Sequence, residues 1–158
     1  MSVDPARSAQ MALVRGRDTK PEMRVRQALH AAGLRYRLHD RRLPGAPDLV
    51  FPARRLALFV HGCFWHQHPG CSAARMPKSR LDFWMPKLTG NAERDARQRD
   101  ALDAMGWTVK VIWECETRSA AALSALAADI EAMPAERKPH RRRTGSTVCQ
   151  VNLDDRDC

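Results

Sequence analysis

The chain has 158 residues, five cysteines and a formal net charge of +9, and 44% of its residues are hydrophobic. At this length one compact domain with a substantial core is expected, and no apolar run approaches the ~20 residues that a membrane-spanning helix needs. The opening stretch MSVDPARSAQ lacks the apolar core of a secretion signal. A cytoplasmic protein follows as the default, with its cysteines as free thiols or metal ligands rather than disulfides.

After Met133 there are six Lys/Arg against four Asp/Glu, leaving 21 against 14 in the body. A basic body points to an anionic partner, most often nucleic acid, although an Arg-rich chain can carry such charge for solubility alone.

Residues 1–18 are polar and read as a flexible arm. TKPEMRVRQALHAAG then carries helix signals: Thr19 as N-cap, Pro21 in the first turn, Glu22 completing a T-x-x-E capping box, and Gly33 as the stop. Met23, Leu29 and Ala32 are expected to share its apolar face. RYRLH reads as a short edge strand and RLPGAP as a turn. DLVF and RLALFV are apolar runs joined by a turn at residues 52–55, hence a hairpin. Simple antiparallel pairing puts Asp48 roughly opposite Phe59 and Val60. A polar loop runs to about Arg80. AERDARQRDALDAMG is a second helix ended by Gly106, WTVKVIW a third strand, and SAAALSALAADIEAM a last helix stopped by Pro134. The domain is thus read over 19–133, and 134–158 as a disordered basic tail. Helices flanking a central mixed sheet define an α/β domain.

The loop LFVHGCFWHQHPGC concentrates the chemistry. Cys63, His68 and Cys71 form C-x4-H-x2-C, three ligands of the type zinc takes, and a tetrahedral site needs a fourth. Cys115, just beyond the third strand, is the best candidate. The bland reading, two buried thiols and a solvated imidazole, explains one cysteine easily and the cluster poorly. Structural Zn2+ would staple the loop to the sheet, its binding energy becoming folding energy. Cys149 and Cys158 lie in the tail and receive no role.

His61 and His66 are then left over. An aspartate opening an apolar strand is ordinarily a cap or turn residue. Asp48 beside two imidazoles and the Val60 carbonyl instead makes a plausible Mg2+ site, since magnesium needs few protein ligands when a phosphate completes its shell. A neutral histidine there can deprotonate water, its unperturbed pKa being about 6.5. Glu22 is fully accounted for locally by its capping box.

RDT followed by Glu22, then LPGAPDLVF, FVHGCFWHQHPGC, FWMPKLTGNAERD and GWTVKVIWEC, in this order, resemble the very-short-patch mismatch repair endonucleases. The similarity spans about Ser8 to Cys115, and H-G-C-F-W-H beside P-G-x-P-D is its most specific part. The resemblance implies a restriction-endonuclease-like α/β fold with an added zinc site. It also implies Mg2+-dependent nicking of duplex DNA 5′ to the thymine of a T·G mismatch, the product of 5-methylcytosine deamination. It further implies functional association with a cytosine-5 DNA methyltransferase and repair proteins, and a monomer is the expected state.

Carried over by position, Asp48 with the Val60 carbonyl binds magnesium. His66 activates water or handles the scissile phosphate, His61 assists, and Glu22 reaches the metal shell through water. Cys63, His68, Cys71 and Cys115 match the zinc ligands. Phe64 and Trp65 match a wedge inserted beside the mismatch, where unstacking costs least. Met11 resembles a residue intercalating from the opposite groove, and Lys87 and Asn91 fall where the family contacts the mispair. Trp84 and Trp107 read as packing residues, although Trp84 could add a stacking surface. Val60 stands where the family often has a hydroxyl residue, and Gln67 and Pro69 interrupt a histidine run that relatives can carry. Two other classes remain open: a restriction-type nuclease acting on paired DNA, and a zinc-stapled module that binds distorted DNA without cutting it.

Overall fold

In the computed structural model, which describes residues 16–136, four strands form one mixed sheet in the order β1-β2-β3-β4. They are β1 (Arg37–Leu38), β2 (Leu49–Phe51), β3 (Leu56–His61) and β4 (Thr108–Trp113). Met11, Cys149, Cys158 and all but the first residues of the expected tail lie outside the described residues. Three helices flank the sheet: α1 (Lys20–Ala31), α2 (Leu81–Ala104) and α3 (Ala120–Ala132). Among the described residues no helix is long and apolar enough to cross a membrane.

Side-chain alternation with period two sorts the apolar runs into two cores. Leu49, Phe51, Leu56 and Leu58 meet Val25 and Leu29 of α1 and Leu126 and Ile130 of α3 on one face. Val50, Ala57 and Phe59 meet Leu43 of the turn before β2 and Leu102 of α2 on the other. Burial on both faces is why β3 reads as a continuous apolar run rather than an alternating one. Removing one such side chain, as in Leu58→Ala, costs about 2–5 kcal/mol.

Two registers position the chemistry. β2 and β3 pair antiparallel, Leu49 opposite Leu58 and Phe51 opposite Leu56, around a turn that Arg55 closes at φ 47°. One more step places Asp48 opposite Phe59, and the Val60 N–H donates to Asp48 Oδ2 at 2.7 Å. β3 and β4 run parallel, with His61 opposite Trp113. Parallel neighbours need a crossover, which α2 supplies.

Two expectations about the helices are corrected. On α1 the inward stripe is Glu22, Val25, Arg26 and Leu29, while Met23 is 38% exposed and Ala32 is exposed. A buried ion pair between Glu22 and Arg26, one turn apart, takes the place of apolar contacts. The second helix begins at Leu81 rather than Ala92 and runs through Pro86 and Gly90. Pro86 lies in the second turn, where it removes a single helical hydrogen bond. Aromatic contacts of Phe83 and Trp84 hold the preceding turn in place.

Candidate active site and metal centre

The parallel register accounts for the cysteine cluster. His61 pairs with Trp113, so Cys63 and Cys115, each two residues further on, leave the sheet side by side. The loop then coils back, the His66 N–H donating to the Gly62 carbonyl at 3.1 Å and the His68 N–H to that of Cys63 at 2.9 Å. Ligand atoms of Cys63, His68, Cys71 and Cys115 all lie within 4.8 Å of one another. His68 Nδ1 is 3.6 Å from Cys63 Sγ and 3.4 Å from Cys115 Sγ. A zinc tetrahedron with bonds of about 2.3 Å to sulfur and about 2.0–2.1 Å to nitrogen has S···N edges of roughly 3.6 Å. The donor set therefore fits zinc in type and spacing. Burial pushes the Cys63 thiol up to about 11, a cost that coordination as thiolate would remove. The backbone N–H of Ala73 holds Cys71 below the usual thiol range.

The same coil stacks His66 on His61, ring centroids 3.9 Å apart and planes 11° from parallel. His61 is buried, and its pKa falls to about 4 through burial first and the neighbouring His66 second, so it is neutral near pH 7. His66 Nδ1 lies 2.5 Å from Asp95 Oδ2. Asp95, on α2, escaped the sequence reading because AERDARQRD looks like a solvated helix face. The signal that could have found it is spacing: Lys87, Asn91 and Asp95 recur every four residues and share one helix stripe.

A cleft of about 340 Å³ is lined by His39, Asp48, Val60, His61, His66 and Asp95, among others. Asp48 has one oxygen, Oδ2, fixed by the Val60 N–H. Burial raises its pKa more than that hydrogen bond lowers it. A half-buried carboxylate with an oxygen to spare and its charge undercompensated suits a hard cation. Glu22 is 2% exposed and does more than cap α1. Thr19 Oγ1 accepts from the Glu22 N–H at 3.4 Å, and the Glu22 carboxylate reaches back to the residue before Thr19. Its Oε2 accepts from the Asp18 N–H at 2.8 Å, while Oε1 meets Arg26 and lies 3.0 Å from His39 Nε2. Asp18, the last residue of the expected arm, is thereby tied to α1, and it also pairs with Arg26 at 2.7 Å.

A second face is aromatic. Phe64 packs edge-on against Trp65 and Trp84, at 5.2 and 5.3 Å, and Phe83 packs against Trp84 at 5.1 Å. Phe64, Trp65 and Trp84 are half-buried against one another, and Phe83 is 44% exposed. Trp84 thus joins this aromatic surface rather than the core. Lys87 Nζ sits 5.5 Å from the Trp65 ring and 5.4 Å from that of Phe83. Asn91 Nδ2 donates to the Trp65 carbonyl at 3.1 Å, so its amide supports the loop in this conformation.

Comparisons with known proteins agree in direction. The family model for DNA mismatch endonuclease Vsr matches residues 3–72. The type II nicking enzyme V.XorIIP of Xanthomonas oryzae pv. oryzae is 56% identical over 115 residues, covering 73% of this chain and 84% of the relative. The type II nicking enzyme V.NmeAIP of Neisseria meningitidis is 43% identical over 115 residues, covering 73% and 81%. The DNA mismatch endonuclease Vsr of Escherichia coli K12 is 42% identical over 112 residues, covering 71% of each chain.

Proposed function

Because the chain belongs to the family of Vsr DNA mismatch endonucleases, and so is a DNA endonuclease, we propose that it nicks duplex DNA 5′ to the thymine of a T·G mismatch, using Mg2+. In this reading the sheet is restriction-endonuclease-like and zinc on Cys63, His68, Cys71 and Cys115 holds the loop after β3. The observation that carries it is the convergence of Asp48, with one oxygen fixed by the Val60 N–H, and the stacked His61–His66 pair in one cleft.

Asp48 and the Val60 carbonyl would hold the cation. A Mg2+ held by them would supply polarisation of the phosphoryl group and stabilisation of the leaving oxygen. The protein's own part is proton handling and positioning. Asp95 takes the Nδ1 side of His66, leaving Nε2 to accept the proton of the attacking water. His61, neutral and stacked on His66, fixes the plane of that ring without adding charge. The aromatic face of Phe64, Trp65 and Trp84 enters the stack beside the mispair, where unstacking costs least. Phosphate attraction comes from the basic body, with a net charge of +9 for the chain.

The same reading makes the protein a monomer in the bacterial cytoplasm, repairing deaminated sites of a cytosine-5 DNA methyltransferase. A duplex with one T·G pair, each strand labelled separately, tests it. Cutting is expected in the thymine strand alone and only with Mg2+; cutting of both strands, or in excess chelator, would contradict it.

A further inference from the structure

His39 received no role from the sequence, yet it lies between the two acidic residues of the site. We propose that His39 is a positioning residue of the cation site, tying the Glu22 carboxylate to the open edge of Asp48. The inference rests on Asp48 being the magnesium carboxylate.

Backbone geometry puts it there. His39 follows β1 directly, and its N–H donates to the Asp48 carbonyl at 3.2 Å. Its φ is 46°, a left-handed conformation that few non-glycine residues adopt and that strains the backbone. The surroundings hold that strain, and the ring it directs inward is only 16% exposed.

The ring then spans the two acids. Nε2 accepts from Arg26 Nη2 at 2.9 Å and lies 3.0 Å from Glu22 Oε1, and Nδ1 lies 3.9 Å from Asp48 Oδ1. Because a guanidinium only donates, Nε2 is the acceptor and the ring proton sits on Nδ1, facing Asp48; that gap is too long for a direct bond and leaves room for a shared water. Asp48 Oδ2 is committed to the Val60 N–H, so Oδ1 is the oxygen that a cation would take. Both oxygens of Glu22 are engaged, Oε2 by the Asp18 N–H and Oε1 by Arg26, whose guanidinium also donates to His39 Nε2. Glu22 therefore acts on the cation site through Arg26 and the imidazole. Partners that orient ligands in this way typically contribute 10–100-fold to metal affinity. A merely structural histidine in the Arg26–Glu22 network would change the melting temperature and leave cation affinity alone.

The test titrates Mg2+ calorimetrically into the full chain, zinc retained, bound to a T·G duplex made uncleavable at the scissile linkage. His39→Ala is expected to weaken Mg2+ binding about tenfold or more. It should likewise raise the Mg2+ concentration for half-maximal nicking of a normal duplex, with the rate at saturating Mg2+ within a few-fold of wild type. His39→Gln, whose amide oxygen can accept from Arg26 as Nε2 does, should recover part of the affinity. Wild-type affinity in His39→Ala overturns the inference. If that variant does not fold, His39→Gln decides: any loss of affinity supports the proposal and wild-type affinity overturns it. Asp48→Asn separates the layers. If it loses Mg2+ binding while the His39 variants keep it, only the inference fails; if it binds as wild type does, the cation reading itself fails.

Discussion

The Asp95 carboxylate grips the imidazole of His66 at Nδ1, 2.5 Å away, which in the proposed mechanism leaves Nε2 for the attacking water. One residue comes from the loop after β3 and the other from α2, so two segments distant in sequence meet at one hydrogen bond. Asp95→Asn keeps the shape but can favour the wrong tautomer. Nicking is expected to fall by about 10²–10⁴-fold with mismatch binding retained. A variant cutting at the wild-type rate would remove Asp95 from the mechanism.

Asp48→Asn should abolish nicking while leaving mismatch binding intact. It also carries a sign test in stability. Burial raises the Asp48 pKa, so its ionised form destabilises the cation-free fold above the ordinary carboxylate range. Without divalent cations the Asn variant should melt at or above the wild-type temperature, and added Mg2+ should raise the wild type alone. A thermal shift of equal size in both proteins would place the cation elsewhere.

Cys115→Ala removes one ligand from a cluster that joins the loop to the end of β4. The variant should lose its zinc by elemental analysis and melt lower by on the order of 10 °C, the shift expected for roughly 3 kcal/mol in a domain of this size. Zinc content of one per chain with an unchanged melt would refute the ligand set.

Phe64→Ala combined with Trp65→Ala should reduce the preference for mismatched over paired duplex by about tenfold, while affinity for paired DNA changes little. Because phosphate contacts persist, the salt dependence of binding should match the wild type. Equal binding preference in variant and wild type would take the wedge out of the account.

These predictions rest on residues that differed in how far the sequence revealed them. The Asp48–Val60 relationship was readable because a short turn leaves one hairpin register, and a single step along it reaches the hydrogen bond observed. Cys63, His68 and Cys71 were readable from spacing. Cys115 needed the guess that it leaves the sheet beside them, which the parallel pairing of His61 with Trp113 explains. Asp95 was signalled only by its four-residue spacing from Lys87 and Asn91, and His39 by nothing local. Both depend on segments distant in sequence, and an edge strand gives no sign of facing a cleft. Glu22 misled in another way: its capping position sufficed locally and hid a carboxylate buried against Arg26 and His39. The start of α2 was masked by Pro86 and Gly90, whose local preference loses to the aromatic packing of Phe83 and Trp84.

The central claim is that this cleft cuts only where pairing is damaged. Its most direct measurement is the single-turnover nicking rate, in Mg2+, on two duplexes identical except for one T·G pair replaced by T·A. The account predicts rapid nicking of the thymine strand in the first and a rate at least ~10²-fold lower in the second, as expected when unstacking a sound pair costs a few kcal/mol more. Equal rates on the two duplexes would contradict it.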